Sequence, residues 1–207
     1  MKRNHLPAAV VCLLLVVGMA ACHETEDDNS EFSDWQERNE AYFLQVYDLA
    51  TNPAAFSNFF ALTKWSLNDS IATKAEDHIV VEPLEVGSGS GCPLYTDSVL
   101  VHFRGRTIPT TASPEGYIIG SSYEGTFYEQ TSQPRLMSIS ASTTVDGLAT
   151  ALQRMHIGDR WRIIIPCQLG YGITDYTPST TTGWISASIP AYTTLIYDVQ
   201  LVGYYRQ

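Results

Sequence analysis

The amino-acid sequence predicts an α+β fold: one antiparallel, twisted β-sheet wrapped around a single short helix, preceded by an N-terminal helical segment. Three observations predict it. From Ile79 onwards apolar residues recur with a period of two, as in Val99, Val101 and Phe103, in Trp161, Ile163 and Ile165, and in Leu195, Tyr197, Val199 and Leu201. One helical stripe interrupts these runs, Val145, Leu148, Leu152 and Met155, at helical spacing. The chain lacks the repeated strand–helix–strand units of a doubly wound sheet, which leaves one helix packed against a sheet.

The elements follow in chain order. Lys2 and Arg3 precede an apolar stretch, Ala8 to Val17, that is too short to cross a membrane and has the flanks of a signal peptide. Met19-Ala20-Ala21-Cys22 resembles a bacterial lipobox, so residues 1–21 are expected to be a lipoprotein signal peptide and Cys22 the lipidation site. Residues 22–32 are acidic, with no apolar residue between Cys22 and Phe32, and read as a solvated tether. This places the protein outside the cytoplasm, lipid-anchored to a bacterial membrane on its periplasmic or surface face.

Residues 33–75 are expected to form a helical extension. Ser33-Asp34-Trp35-Gln36 has the form of a capping box, and Trp35, Tyr42, Val46 and Leu49 recur at near-helical spacing before Asn52-Pro53. Phe56, Phe59, Phe60 and Leu62 suggest a second short helix. Residues 76–207 carry the β pattern. Gly87 to Gly91 is a flexible loop, residues 106–144 are rich in turn formers, and Gly158 is the expected glycine stop of the helix that starts near Val145. Residues 173–188 form a polar loop before the last strand.

Composition excludes several kinds of function. With 44% hydrophobic and 16% charged residues over 207 positions, the chain is long enough for one good core. A formal charge of -10 and no basic stripe speak against a nucleic-acid partner. Cys92 and Cys167 are the two cysteines left after the signal and lipid site, and their pairing is undetermined by sequence. His78, His102 and His156 have no spacing that makes a metal site, and there is no nucleophile elbow.

Five segments together resemble the FKBP-type peptidyl-prolyl isomerases, in the right order across residues 79–202. Asp97-Ser98-Val99-Leu100-Val101-His102-Phe103-Arg104-Gly105 resembles the family's "V-x-V-H-Y-x-G" strand. Glu115-Gly116-Tyr117-Ile118-Ile119-Gly120-Ser121-Ser122 is similar to "D-G-x-x-F-D-S-S". Val145-Asp146-Gly147-Leu148 through Met155 and Gly158 resembles "V-I-x-G-W … A-L … M … G". Ile165-Pro166 to Gly170-Tyr171-Gly172 resembles "I-P … Y-G", and Ile189-Pro190 to Leu201 resembles "I-P … T-L-x-F-D-V-E-L".

The resemblance implies rotation about X–Pro bonds in an apolar pocket, with no metal or cofactor. The partners it implies are proline-containing peptides or unfolded proteins. It assigns Tyr171 as the hydrogen-bond donor to a substrate carbonyl, Phe103 to a strand tyrosine's position and Tyr197 to a phenylalanine's position at the pocket floor. Ile119, Val145, Leu148 and Ile189 take substrate-binding positions. On their own faces Phe103, Tyr197, Val145 and Leu148 also read as plain core residues. The sequence departs from the family at Gly120, where an aspartate is expected, and at Arg135, Ile119 and Leu148, where aromatics are expected. Tyr123, Phe127, Tyr128 and Trp184 are further aromatics on loops. Two other readings compete: a catalytically weak peptide-binding lipoprotein, and a carbohydrate-binding lipoprotein suggested by twelve tyrosines and four tryptophans.

Overall fold

In a computed structural model of the chain, residues 30–55, 57–129, 132–140, 144–178 and 185–206 are described. Cys22, Phe56 and Trp184 lie outside them. Seven strands form one antiparallel sheet: β1 (Phe60–Thr63), β2 (His78–Glu85), β3 (Ser98–Arg106), β4 (Ile118–Ser121), β5 (Arg135–Ser138), β6 (Arg160–Ile165) and β7 (Leu195–Tyr205). Their order is β1-β2-β6-β7-β3-β4, and β5 also pairs with β3. The long β3–β7 ladder sets Phe103 opposite Val199 and Gly105 opposite Tyr197.

Among the described residues two α-helices cover the two faces of this sheet. Helix α2 (Asp146–Leu152) lies on one face, where Leu148, Ala151 and Leu152 join Ile79, Val81, Phe103, Ile163, Ile165 and Tyr197 in the main core. Gly147 allows the close approach: a Cβ there would stand 2.3 Å from Ile165 Cγ2. Helix α1 (Trp35–Thr51) lies on the other face. Phe43 and Val46 pack on Val80 and Ile164, and Trp35 packs on Ile108 and Ile196. This second layer explains why β2 and β6 carry unbroken apolar runs, Ile79-Val80-Val81 and Ile163-Ile164-Ile165. A strand covered on both faces has no solvent side on which to place polar residues.

Four expectations are corrected. Phe60 and Leu62 belong to a strand, not a second helix. The sheet offers β1 an unpaired edge on β2, with Phe60 opposite Val81, and that pairing satisfies the backbone. The cap of α1 is Asp34, in the left-handed region at φ 52°, without a side-chain capping bond; Gln36 instead donates to Glu40 at 2.8 Å. Helix α2 stops at Leu152, well before Gly158, although Met155 is fully buried. Gly158, at φ +94°, serves the next turn, where its N–H donates to the Leu201 carbonyl at 2.8 Å. The region 106–144 is not only turns, since β4 and β5 lie in it. Cys92 and Cys167 are both free thiols.

Candidate active site

The site is built where β3, β7, α2 and two loops converge. Phe103 points from the middle of β3, held in register by paired bonds to the strand's neighbour. Its N–H donates to Ser122 Oγ at 2.8 Å, and its carbonyl accepts from the Ser122 N–H at 2.9 Å. Tyr197 stands on the adjacent β7, its ring centroid 6.5 Å from that of Phe103. Gly105 makes this possible. A Cβ on Gly105 would meet the Tyr197 ring at 2.5 Å, so only glycine leaves the aromatic its space. Leu148 approaches from α2, and Val145 is the residue that caps that helix.

Ile119 comes from β4 and Ile189 from the end of the long loop. Ile189 is fixed by reciprocal backbone bonds with Tyr176, at 2.8 and 2.9 Å. Tyr171 follows a short 3₁₀ turn (Cys167–Leu169) and packs its ring against Tyr176, tilted by 31° with centroids 4.3 Å apart. Gly172, at φ +86°, lets the chain turn back, with open space where a side chain would stand.

All seven residues assigned by resemblance therefore meet in one apolar cluster. Phe103, Ile119, Leu148, Ile189 and Tyr197 are no more than 3% exposed, while Val145 and Tyr171 are partly buried and pack against them. The cluster is closed over. Ile185 is buried within it, and the Ser186 N–H donates to the Ile119 carbonyl at 2.7 Å. Sequence reading missed Ile185, because one isoleucine in a polar loop carries no periodic signal.

The electrostatics are those of a dry site. Burial pushes the Tyr171 phenol up to about 12; nearby Tyr176 adds to the shift and a hydrogen bond with Tyr197 opposes it. Burial also raises the phenol of Tyr197 well above its ordinary value, reinforced by Tyr171. In the arrangement where Tyr197 donates and Tyr171 accepts, the Tyr171 proton is left free to point at a guest. Tyr171 is thus a neutral donor at any physiological pH.

The remaining loop aromatics lie apart from this cluster. The Arg104 guanidinium stands 4.4 Å from the Tyr123 ring centroid, and that of Arg160 lies 3.8 Å from Phe127 and 5.1 Å from Tyr128. They pack a loop by cation–π contacts. Arg135 is exposed on β5, opposite Val101.

Comparison with known proteins identifies the family. The family model for FKBP-type peptidyl-prolyl cis-trans isomerases matches residues 92–202, more than half of the chain. The chain is 25% identical over 201 residues to the macrophage infectivity potentiator of Trypanosoma cruzi, covering 97% of this chain and 85% of that protein. It is 27% identical over 118 residues to the FKBP-type 22 kDa peptidyl-prolyl cis-trans isomerase of Escherichia coli, covering 56% of this chain and 46% of that one. In fold it is similar to a peptidyl-prolyl cis-trans isomerase of Pseudomonas syringae (TM-score 0.50, 19% identity, 84% of this chain and 96% of that one). It is also similar in fold to FkpA of Escherichia coli (TM-score 0.51, 20% identity, 84% of this chain and 62% of that one). The chain belongs to the FKBP-type peptidyl-prolyl cis-trans isomerase family, and its enzymatic activity is the isomerisation of X–Pro peptide bonds.

Proposed function

We propose that isomerisation takes place beneath Tyr171, on a floor of Phe103, Leu148 and Tyr197, with Ile119, Val145 and Ile189 as walls. The observation that supports this most is the phenol pair: a partly buried Tyr171 hydrogen-bonded to a fully buried Tyr197. An X–Pro amide resists rotation through a barrier of roughly 18–20 kcal/mol, because its C–N bond is partly double. The twisted amide loses conjugation and charge separation. An apolar enclosure therefore favours it over the planar ground state, while one donor holds the flanking carbonyl. Each ~1.4 kcal/mol of such preference gives about tenfold in rate. Access requires the Ile185–Ser188 segment to move aside, since Ile185 fills apolar space next to Ile119.

The test is proline isomerisation in a short peptide, followed with the wild-type chain and Tyr171→Phe. Loss of one donor is expected to lower kcat/KM by about tenfold, the equivalent of ~1.4 kcal/mol. Tm should fall by several degrees, because the buried Tyr197 hydroxyl loses its acceptor, while the chain stays folded at the assay temperature. Equal rates for the two proteins would remove Tyr171 from the reaction.

Substrates on this reading are unfolded or extended protein segments outside the cytoplasm, and the chain is held at a membrane by lipid on Cys22. What supports the anchor is Lys2-Arg3, the apolar stretch Ala8 to Val17 and Met19-Ala20-Ala21-Cys22. Replacing Cys22 by alanine is expected to move the protein from the membrane fraction to the soluble fraction. An unchanged distribution would overturn the anchor.

A further inference from the structure

We propose that a second pocket, beside α1 and distinct from the prolyl cup, takes one lysine or arginine side chain of a partner protein. The pocket holds about 240 Å³ between α1, the 3₁₀ turn Ala75–Asp77 and the Cys167–Leu169 turn. Two carboxylates line it from separate elements, Glu40 from α1 and Glu76 from the first turn. Phe43, Leu44 and Pro166 supply apolar wall, and the nearly buried Cys167 also faces it. None of its lining residues belongs to the cup. Binding there is independent of where isomerisation takes place.

The pocket carries acids without a cation of its own. Among the described residues no lysine or arginine lines it. Glu40 accepts from the neutral Gln36 amide, which leaves its charge uncancelled. Glu76 has Lys74 at 3.9 Å, the outer limit of an ion pair, and that lysine side chain is 70% exposed. Burial pushes the Cys167 thiol up, and the charges of Glu40 and Glu76 push it further, so the field of both acids reaches one interior point. A cationic head on an apolar stem matches this lining. The stem would cover Phe43 and Leu44, which is 55% exposed, while the head meets the carboxylates. The volume suits one long side chain rather than a length of peptide. The formal charge of -10 on the chain attracts basic partners from a distance.

The same residues hold the turn that presents Tyr171. The Cys167 carbonyl accepts from the Gly170 and Gly172 N–H groups at 3.0 and 2.9 Å. Tyr192, which also lines the pocket, donates its N–H to the Gly172 carbonyl at 3.1 Å. A protein anchored by its basic residue is therefore held next to that turn, at a point its proline does not occupy.

The test titrates the full chain with short proline-free alanine peptides that carry one central arginine, lysine, norleucine or glutamate, and reads binding by NMR. The arginine and lysine peptides are expected to shift the amides of Leu44, Glu76 and Gln168 and to bind about tenfold more tightly than the norleucine peptide. The glutamate peptide should not bind, and added salt should weaken the two cationic ones. The double variant Glu40→Gln, Glu76→Gln should lose the preference for a cation. Leu44→Ala should weaken both cationic peptides by about threefold. Equal affinity of wild type for the arginine and norleucine peptides overturns the proposal, and so does a preference that survives the double variant. Binding to phosphatidylethanolamine vesicles instead of the peptides, lost in the double variant, overturns the protein partner and gives the pocket to a lipid amine. The rate on a proline peptide tests the active-site reading separately, because none of these probes contains proline.

Discussion

At Tyr171 the decisive quantity is the surroundings of one hydroxyl. In the proposed reaction Tyr171 needs no activation to act as a donor; it needs a dry setting and a fixed direction. Burial supplies the first and Tyr197 supplies the second, through a hydroxyl that a phenylalanine at that position would lack. The same burial has a consequence for stability. Both phenols hold their protons more tightly in the folded chain than in the unfolded one, where they titrate near 10. Folding is therefore favoured in full below about pH 10. Above it the unfolded chain releases protons that the native state retains, and stability falls until the folded phenol titrates, at about 12 for Tyr171. Each phenol contributes a slope of about 1.4 kcal/mol per pH unit in that window. Urea unfolding from pH 9 to pH 11 is expected to show this decline, and the Tyr171→Phe, Tyr197→Phe double variant should flatten it.

At the scale of elements, helix α1 governs the strand that carries the floor of the site. Trp35 Nε1 donates to Thr193 Oγ1 at 2.9 Å, and Asn39 Oδ1 accepts from the Thr194 N–H at 2.8 Å. Thr193 and Thr194 lead directly into β7, which begins at Leu195, two residues before Tyr197. Asn39 is fully buried and also donates to the Trp35 carbonyl at 2.7 Å. Asn39→Ala leaves the Thr194 N–H without that acceptor in the interior, at a cost of about 1–3 kcal/mol. Thermal unfolding should show Tm lowered by roughly 3–10 °C for a chain of this size. A change of Tm within experimental error would mean that α1 rests on the strand without fixing it. The short α2 acts differently: it fills the opposite face and reaches it only because Gly147 has no side chain to strike Ile165.

At the scale of the molecule, the N-terminal extension is a structural layer, not an appendage. It contributes α1 over one face of the sheet and β1 along its edge. Removing residues up to 57 uncovers Val80, Ile164 and Ile196, each nearly or fully buried in the intact chain. Exposing three such side chains costs on the order of 5 kcal/mol. The shortened chain is expected to unfold at least about 10 °C earlier and to bind an apolar dye. Unfolding at the wild-type temperature would show that the FKBP-type part stands without its second layer.

Fold class, main strands and the short helix were legible in the linear chain. These rest on local periodicity, which a linear string carries in full. The family was legible too, through five motif segments whose order and spacing survive along the chain. The remaining features depend on contacts between residues far apart in the chain. Phe60 and Leu62 look helical in isolation, yet become a strand because β2 offers an open edge. The unbroken runs in β2 and β6 hinted at two covered faces, but which element covers the second face depends on how α1 docks. Ile185, buried in the main cluster, and Phe32, packed on Trp35 and Tyr117, have no periodic signal at all. Each is placed by a few long-range contacts, and such contacts exist only once the chain has folded.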